Sequence, residues 1–305
     1  MVALAVIIPT LRRPDSLQRA LLSLVRQQGA PPFEVVVVDN DPDGSARAIT
    51  DALPVPFPLT YVHAPRPGVA TARNAGLAAT RAGQIAFLDD DQEAMPSWLG
   101  TLCQTHEALG ADVTFGAITG AIPDSVTRGR AHLEHFFGRH GPAEPALIDE
   151  PYGCGNSLMN RASALSGSAP FDVRMDATGG EDDVLFGTLK AKGCRFGWAP
   201  HARVLEHAPA HRATMAYVLK RAFAYGQGPS QDAARRRDMA SLIRHMGTGA
   251  GQAAVFSIAA LASSREQAPA RWDKAARGLG KLFWFSIFEP HLYGTAELRR
   301  TYRQS

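Results

Sequence analysis

The first hundred residues alternate apolar runs of strand length with segments whose apolar residues recur every three or four positions. Val2–Ile8, Phe33–Val38 and Gln84–Leu88 are the near-continuous runs expected of strands buried on both faces, and Leu59–His63 is a further strand candidate. Between them, Leu17, Ala20, Leu21, Leu24 and Val25 follow Pro14-Asp15-Ser16 at helical spacing. A short helix is predicted around residues 45–52, and Gly68–Ala79 reads as a helix entered through a glycine turn. This βαβαβ rhythm predicts a parallel, doubly wound sheet. The middle is less regular. Val113–Ala121 is predicted as a strand, Pro142–Pro151 as loop, and Cys154–Met159 as a return to the sheet. Val184–Lys192 follows as a helix, then Cys194–Trp198 and Ala202–His207 as two short strands. From about residue 213 the pattern is helical: Met239, Leu242, Ile243 and Met246 share one helical face, and Ala253–Ala262 and Leu279–Phe288 are further apolar stretches.

Composition modifies this picture in three places. At 305 residues, 45% hydrophobic and 20% charged, the chain suits a soluble domain with an extension. Its net charge of +3 conceals an uneven spread: residues 1–200 carry 16 basic and 22 acidic side chains, residues 201–305 carry 16 and 7. The basic final third suits a polyanionic partner or an anionic membrane surface, or else a solvated basic face. Cys103, Cys154 and Cys194 form no CxxC pair or zinc spacing, which points to a reducing compartment. The opening apolar run is short, lacks a preceding basic region and meets Pro9, so it reads as a strand and not a signal peptide. No apolar run reaches the roughly 20 residues of a membrane span.

The chemistry concentrates where apolar runs end. Ile85–Leu88 drives into Asp89-Asp90-Asp91, and the carboxyl ends of strands are where open α/β sheets bind ligands. Three adjacent acids repel one another unless a cation joins them, such as a divalent ion carrying a phosphorylated substrate. Pro9-Thr10, Asp39-Asn40-Asp41 and Glu181-Asp182-Asp183 occupy comparable positions. Consecutive parallel strands point the same way, so the first three of these clusters share one rim. Each alone is accounted for by a turn or helix cap; together they indicate a ligand site.

The ordered series Val6-Ile7-Ile8-Pro9-Thr10, Val36-Val37-Val38-Asp39-Asn40, Gly68-Val69-Ala70-Thr71-Ala72-Arg73-Asn74-Ala75-Gly76, Phe87-Leu88-Asp89-Asp90-Asp91 and Gly180-Glu181-Asp182 resembles the family 2 glycosyltransferases of GT-A fold, over roughly residues 3–225. The resemblance implies an α/β fold with a single doubly wound, mainly parallel mixed sheet flanked by helices. It implies a catalytic domain over residues 1–212 and a helical, basic extension over 213–305. It also implies a nucleotide-diphosphate sugar donor, expected to be a UDP-sugar. Pro9 and Thr10 would line base and ribose, Asp39 would accept from the base, and Arg73 and Asn74 would lie beside the nucleotide, with Arg73 near the diphosphate. Asp91 would ligate Mg²⁺ or Mn²⁺, Asp89 would contact ribose or the metal through water, and Asp90 would occupy the variable position of this donor-binding element. The metal would neutralise the leaving diphosphate as a Lewis acid. Asp182 would be the base that deprotonates the acceptor hydroxyl, with Glu181 next and Asp183 third. One base and direct displacement invert the anomeric centre.

Further correspondences are local. Gly155 and Asn156, in Gly153-Cys154-Gly155-Asn156, would lie on the acceptor side. Leu205-Glu206-His207 followed by His211-Arg212 resembles a bacterial exopolysaccharide branch, with His207 as a further metal ligand and Arg212 and Arg221 reaching a diphosphate. The acceptor would be a saccharide or lipid-linked saccharide of bacterial polysaccharide biosynthesis. The expected setting is cytoplasmic, peripheral on the inner membrane through the basic C-terminal region, without a nucleic-acid partner. Against a nucleotidyltransferase, Leu11-Arg12-Arg13-Pro14 is basic but not glycine-rich; against a dinucleotide oxidoreductase, no GxGxxG follows the first strand. A non-catalytic sugar- or lipid-binding subunit would have no use for the intact acids. A processive polymerase would need membrane spans and a QxxRW sequence.

Overall fold

In the computed structural model, which describes residues 3–177 and 179–290, the early apolar runs form the centre of one mixed sheet. Strands β1 (Leu4–Thr10), β2 (Phe33–Asp39), β3 (Leu59–His63) and β4 (Gln84–Phe87) are parallel, and Ile7 pairs with Val36 on one side and Phe87 on the other. The predicted start at Val2 lies outside the described residues. Helices α1 (Pro14–Val25), α2 (Arg47–Ala52) and α3 (Val69–Ala79) make the crossovers; α1 buries Leu17, Ala20, Leu21 and Leu24 as its spacing predicts, while Val25, the last of the predicted set, is exposed at the helix end.

Beyond β4 the sheet changes direction. The chain continues through β5 (Gln92–Ala94), α4 (Trp98–Leu109), β6 (Val113–Ala121), α5 (Arg130–Phe136), β7 (Ala146–Ile148), β8 (Ser157–Asn160), α6 (Arg161–Ala164), α7 (Glu181–Ala191) and β9 (Phe196–His207). The strand order is β3-β2-β1-β4-β8-β6-β9-β5, with β7 also on β9. β8 runs antiparallel to β4, with Ser157 opposite Phe87. The turn that enters β8, residues 153–156, is thereby brought against the carboxyl end of β4. Two apolar cores cover the two faces, one containing Ile7, Phe87, Phe115, Phe171 and Phe186, the other Ile8, Leu21, Val37, Trp98 and Leu158.

The pattern reading differs from the structure in several places, the unpredicted short helices α5 and α6 among them. β5 and α4 were not predicted, because Gln92–Ala94 is too short to show a period and Asp89–Asp91 dominates its neighbourhood. β7 lies within the predicted loop Pro142–Pro151. The two predicted strands after Cys194 are one twelve-residue strand, β9. β7 pairs with Phe196–Trp198 and β5 with Val204–Glu206, so Pro200 falls between the two paired stretches. Helix α7 starts at Glu181 instead of Val184, after Gly180 in the left-handed region at φ 89°.

The chain divides into two compact units. The first comprises residues up to Thr119 with Gly138–His207 and carries the sheet. The second combines Gly120–Phe137 with the described chain from residue 208 to residue 290, so it takes in a segment upstream of residue 212. It contains α5, α8 (Met215–Arg235), α9 (Met239–Leu261) and α10 (Ala268–Leu282). Gly226 and Gly280 let α8 and α10 touch backbone to backbone: a Cβ on either would sit 2.2 Å from Arg277 O or 2.1 Å from Phe223 O. The aromatic run Phe283–Phe288 lies past the end of α10, with a short 3₁₀ turn at Ser286–Phe288. Residues 291–305 of the expected extension lie outside the described residues.

Candidate active site

The three acids after β4 separate into different environments. Asp90 turns inward, where its carboxylate accepts from Thr10 Oγ1 at 2.8 Å and Arg13 Nη1 at 3.0 Å. Burial pushes its carboxyl up, against the pull of Arg13. Arg13 Nη1 also donates to Asp91 Oδ2 at 3.1 Å, so one guanidinium bridges both acids. The Asp89 side chain is 35% exposed, and its Oδ1 lies 3.6 Å from Arg73 Nη2. Gly155 makes this position possible: a Cβ there would fall 2.2 Å from Asp89 Oδ2.

Arg73 is the buried cation at the centre. Helix α3 is stitched to the segment before α7 by two pairs of bonds. Asn74 donates to Phe171 O at 2.8 Å and accepts from Phe171 N at 3.1 Å; Thr71 donates through N and Oγ1 to Asp176. These clamps deliver Glu181, at the start of α7, onto Arg73, to which it is hydrogen-bonded. Burial raises the Glu181 carboxyl while Arg73 opposes that. Burial likewise opposes charge on Arg73, and the acids around it, Glu181, Asp89 and Asp182 among them, hold it protonated. Asp182, next on the helix, accepts from Cys154 N at 3.3 Å through Oδ2 and from Asp183 N at 3.0 Å through Oδ1. One turn, residues 153–156, therefore touches both Asp89 and Asp182.

The remaining expected residues fall into two groups. Pro9 and Thr10 end β1, next to Asp39 at the end of β2. Asp39 is fully buried and accepts from Asp41 N, Ala46 N and Tyr61 Oη, three of a carboxylate's roughly four acceptor sites. Tyr61's hydroxyl is pushed up to about 12 by burial and by this bond. Asn74, expected beside the nucleotide, is spent on the Phe171 backbone. Asn156, expected on the acceptor side, is buried: it accepts from Trp98 Nε1 at 2.7 Å and donates to Ala117 O and Ala202 O. An amide withdrawn from water must satisfy itself internally, and here the partners are backbone groups and, for Asn156, the Trp98 indole as well. Glu181, expected as the second base, is buried as the counter-ion of Arg73. His207 Nε2 lies 3.0 Å from Glu93 Oε2, and its backbone N donates to Asp91 O. Arg212 and Arg221 belong to the helical unit, where Arg212 lies over Tyr217 and Arg221 is hydrogen-bonded to Tyr217 and Tyr225.

Two arginines escaped the sequence reading. Arg13 carried a signal, a basic pair one turn after the first strand's end, facing an acidic rim. Arg139 carried none, because it follows α5 in an irregular stretch and acts through backbone carbonyls.

A divalent metal suits this donor set in a restricted way. Among the described residues, no three His, Cys, Asp or Glu side chains form a metal cage. Negative charge is nevertheless concentrated: Glu206 is pushed up to about 8 by burial and then by Asp91 and Asp89, with Gln92 and Arg139 opposing. Hard carboxylate oxygens at Asp91 and Asp89 match Mg²⁺ or Mn²⁺ in sites where substrate phosphates complete the shell.

The acid-tipped parallel half-sheet, its antiparallel continuation and the carboxylate at the start of α7 are the features of a GT-A glycosyltransferase. The family profile "Glycosyl transferase family 2" matches residues 5–166. The chain belongs to this family. It is 31% identical over 229 residues to the succinoglycan biosynthesis protein ExoM of Rhizobium meliloti (strain 1021), covering 72% of this chain and 71% of that one. It is also 31% identical over 282 residues to a pre-mycofactocin glycosyltransferase of Mycobacterium tuberculosis (strain CDC 1551 / Oshkosh), covering 85% of this chain and 56% of that one. In fold it resembles S. aureus TarS 1-349 in complex with UDP, with a TM-score of 0.54, 16% identity, and coverage of 93% of this chain and 91% of that one.

Proposed function

We propose that this family 2 glycosyltransferase moves a sugar, with inversion, from a UDP-sugar to a hydroxyl of a saccharide or lipid-linked saccharide in bacterial polysaccharide biosynthesis. The observation that carries the reading is the convergence of Asp89, Arg73 and Asp182 around the 153–156 turn. Succinoglycan biosynthesis in the name of one relative supports the polysaccharide setting, and UDP in a solved structure of the same fold supports the donor.

In this reading Asp182 takes the proton of the attacking hydroxyl. Its Oδ2 is held by a single long bond, so a lone pair remains for that proton. Arg73 keeps Glu181 and Asp89 in place and sets a positive potential beneath the departing diphosphate. Thr10 and Arg13 hold Asp90, which fixes the backbone that presents Asp89 and Asp91. Asp91 and Asp89 would hold Mg²⁺ or Mn²⁺, which when bound supplies Lewis-acid stabilisation of the leaving diphosphate. His207 would complete this set only on releasing Glu93. Gly155 lies on the acceptor flank of Asp89.

The helical unit supplies the second part of the proposal, contact with a cytoplasmic anionic membrane surface. Among the described residues no helix is long and apolar enough to cross a membrane. Helix α9 instead exposes Met239, Ile243, Val255, Ile258 and Leu261, and no acid occurs between Asp238 and Glu266. Arg235-Arg236-Arg237 precede it. This is the composition of a helix lying in the interface.

The deciding experiment titrates the protein with a panel of UDP- and GDP-sugars in Mg²⁺ or Mn²⁺, following thermal stability and nucleoside diphosphate release. We expect UDP-sugars to stabilise and one to turn over. Asp182→Asn should keep the stabilisation and lose about 10²–10⁴ in rate. Equal response to GDP-sugars would overturn the donor, and full transfer by Asp182→Asn would overturn the base.

A further inference from the structure

Arg139 is a half-buried arginine whose side-chain hydrogen bonds all go to backbone carbonyls. Nη2 donates to Gly153 O at 2.8 Å, and Nη1 to Asn156 O at 3.1 Å and Gly116 O at 3.5 Å. Its guanidinium is flanked by Phe115 and Tyr152, with ring centroids at 5.8 and 5.5 Å. No carboxylate lies within ion-pair distance of it among the described residues. Two of its three acceptors are the first and last residues of the 153–156 turn, and the turn's second residue, Cys154, donates its N–H to Asp182 Oδ2.

Gly153 shows how close the cation and the carboxylate are. A Cβ on Gly153 would be 3.2 Å from Asp182 Oδ2 and 3.6 Å from Arg139 Nη2. The two atoms are therefore at most about 7 Å apart, a distance at which charges still interact appreciably in a partly buried site. Glycine is the residue that keeps this gap open.

We propose that Arg139 is the positioning residue for Asp182: it pins both ends of the turn that orients this carboxylate. The proposal rests on Asp182 as the base. The other charged groups facing Asp182 are Glu181 and Asp183 on its own helix, Arg73 on α3 and Asp89 after β4; the Cys154 thiol is neutral, burial pushing it up. Glu206 on β9 faces Arg139.

Two substitutions separate charge from geometry. Arg139→Lys keeps the charge and loses the forked contact to two carbonyls; Arg139→Gln keeps one donor and loses the charge. The readouts are amide hydrogen exchange of residues 153–156 and the kcat and KM of transfer. Faster exchange is expected in both variants, by tenfold or more. A tenfold or larger fall in kcat with the donor KM near wild type is expected in Arg139→Gln, and a smaller fall in Arg139→Lys, which keeps the charge. Should Arg139→Gln not fold, the exchange rates of Arg139→Lys alone decide the positioning role. Wild-type exchange, or an unchanged kcat, would overturn the proposal. Full transfer by Asp182→Asn would instead remove the base assignment and leave Arg139's hold on the turn to be judged by the exchange rates.

Discussion

At the scale of single residues, the site is arranged around charges that need one another. Arg73 and Glu181 are both buried, and neither is tolerable alone. Burying the pair is weak evidence for stability but strong evidence for specificity of position, since it ties α3 to α7 at one point. The motifs say which residues lie along the rim; what each of them touches is decided by the tertiary structure. Arg73 and Asn74 are adjacent in one motif, yet Arg73 faces the acids and Asn74 faces the Phe171 backbone. Helical geometry explains the split, because neighbours along a helix point about 100° apart. Gly155 offers a sharp test at this scale. Its backbone angles are ordinary for any residue, so Gly155→Ala adds only a methyl 2.2 Å from Asp89 Oδ2. Asp89 must move, at about 1–3 kcal/mol of overpacking. The expected outcome is a tenfold or larger loss of nucleotide-sugar affinity with unchanged circular dichroism, measured by calorimetry; wild-type affinity would show that Asp89 is not part of the donor site.

At the scale of elements, the parallel half of the sheet was legible because each strand is a continuous apolar run buried on both faces. The antiparallel half was not. β5 and β7 are three residues each, and β9 runs through a proline between two edge partners. Helix α4 is held on β6 in part by His106, whose Nδ1 lies 2.8 Å from Thr114 Oγ1 and whose Nε2 is buried without a partner. Burial holds this imidazole below its ordinary range, against opposing contributions from Asn160 and Asp112. In the unfolded chain it protonates near about 6.5. The folded state therefore binds fewer protons, and this contribution to stability is fully present above that pH and is lost as pH falls below it. Urea midpoints of wild type should fall more steeply between pH 7.5 and 5.5 than those of His106→Gln. Parallel slopes would show that His106 is not linked to folding.

At the scale of the whole molecule, charge and exposed apolar surface distinguish the helical unit from the sheet unit. Membrane contact predicts that the full chain cosediments with vesicles containing phosphatidylglycerol and not with pure phosphatidylcholine, and that salt weakens binding. Ile243→Ser with Ile258→Ser should reduce bound protein several-fold without altering nucleotide-sugar turnover. A concentration-dependent dimer in light scattering, abolished by the same pair and with no vesicle binding, would assign the face to a second copy instead.

The sequence by itself determined the fold class, the family, the order of the acidic clusters along one rim and the basic bias of the final third, because these are written in local periodicity and in ordered motifs. Tertiary structure alone decided which atoms meet. It turned Asp90 inward onto Thr10 and Arg13, tied Asn74 to the Phe171 backbone and Asn156 to Trp98 and two carbonyls, paired Glu181 with Arg73, and brought Arg139 to the turn beside Asp182. The place of the 153–156 turn depends on antiparallel pairing of β8 with β4, and all of these outcomes depend on contacts between residues far apart in the chain, where burial forces polar groups to find partners that no local pattern encodes.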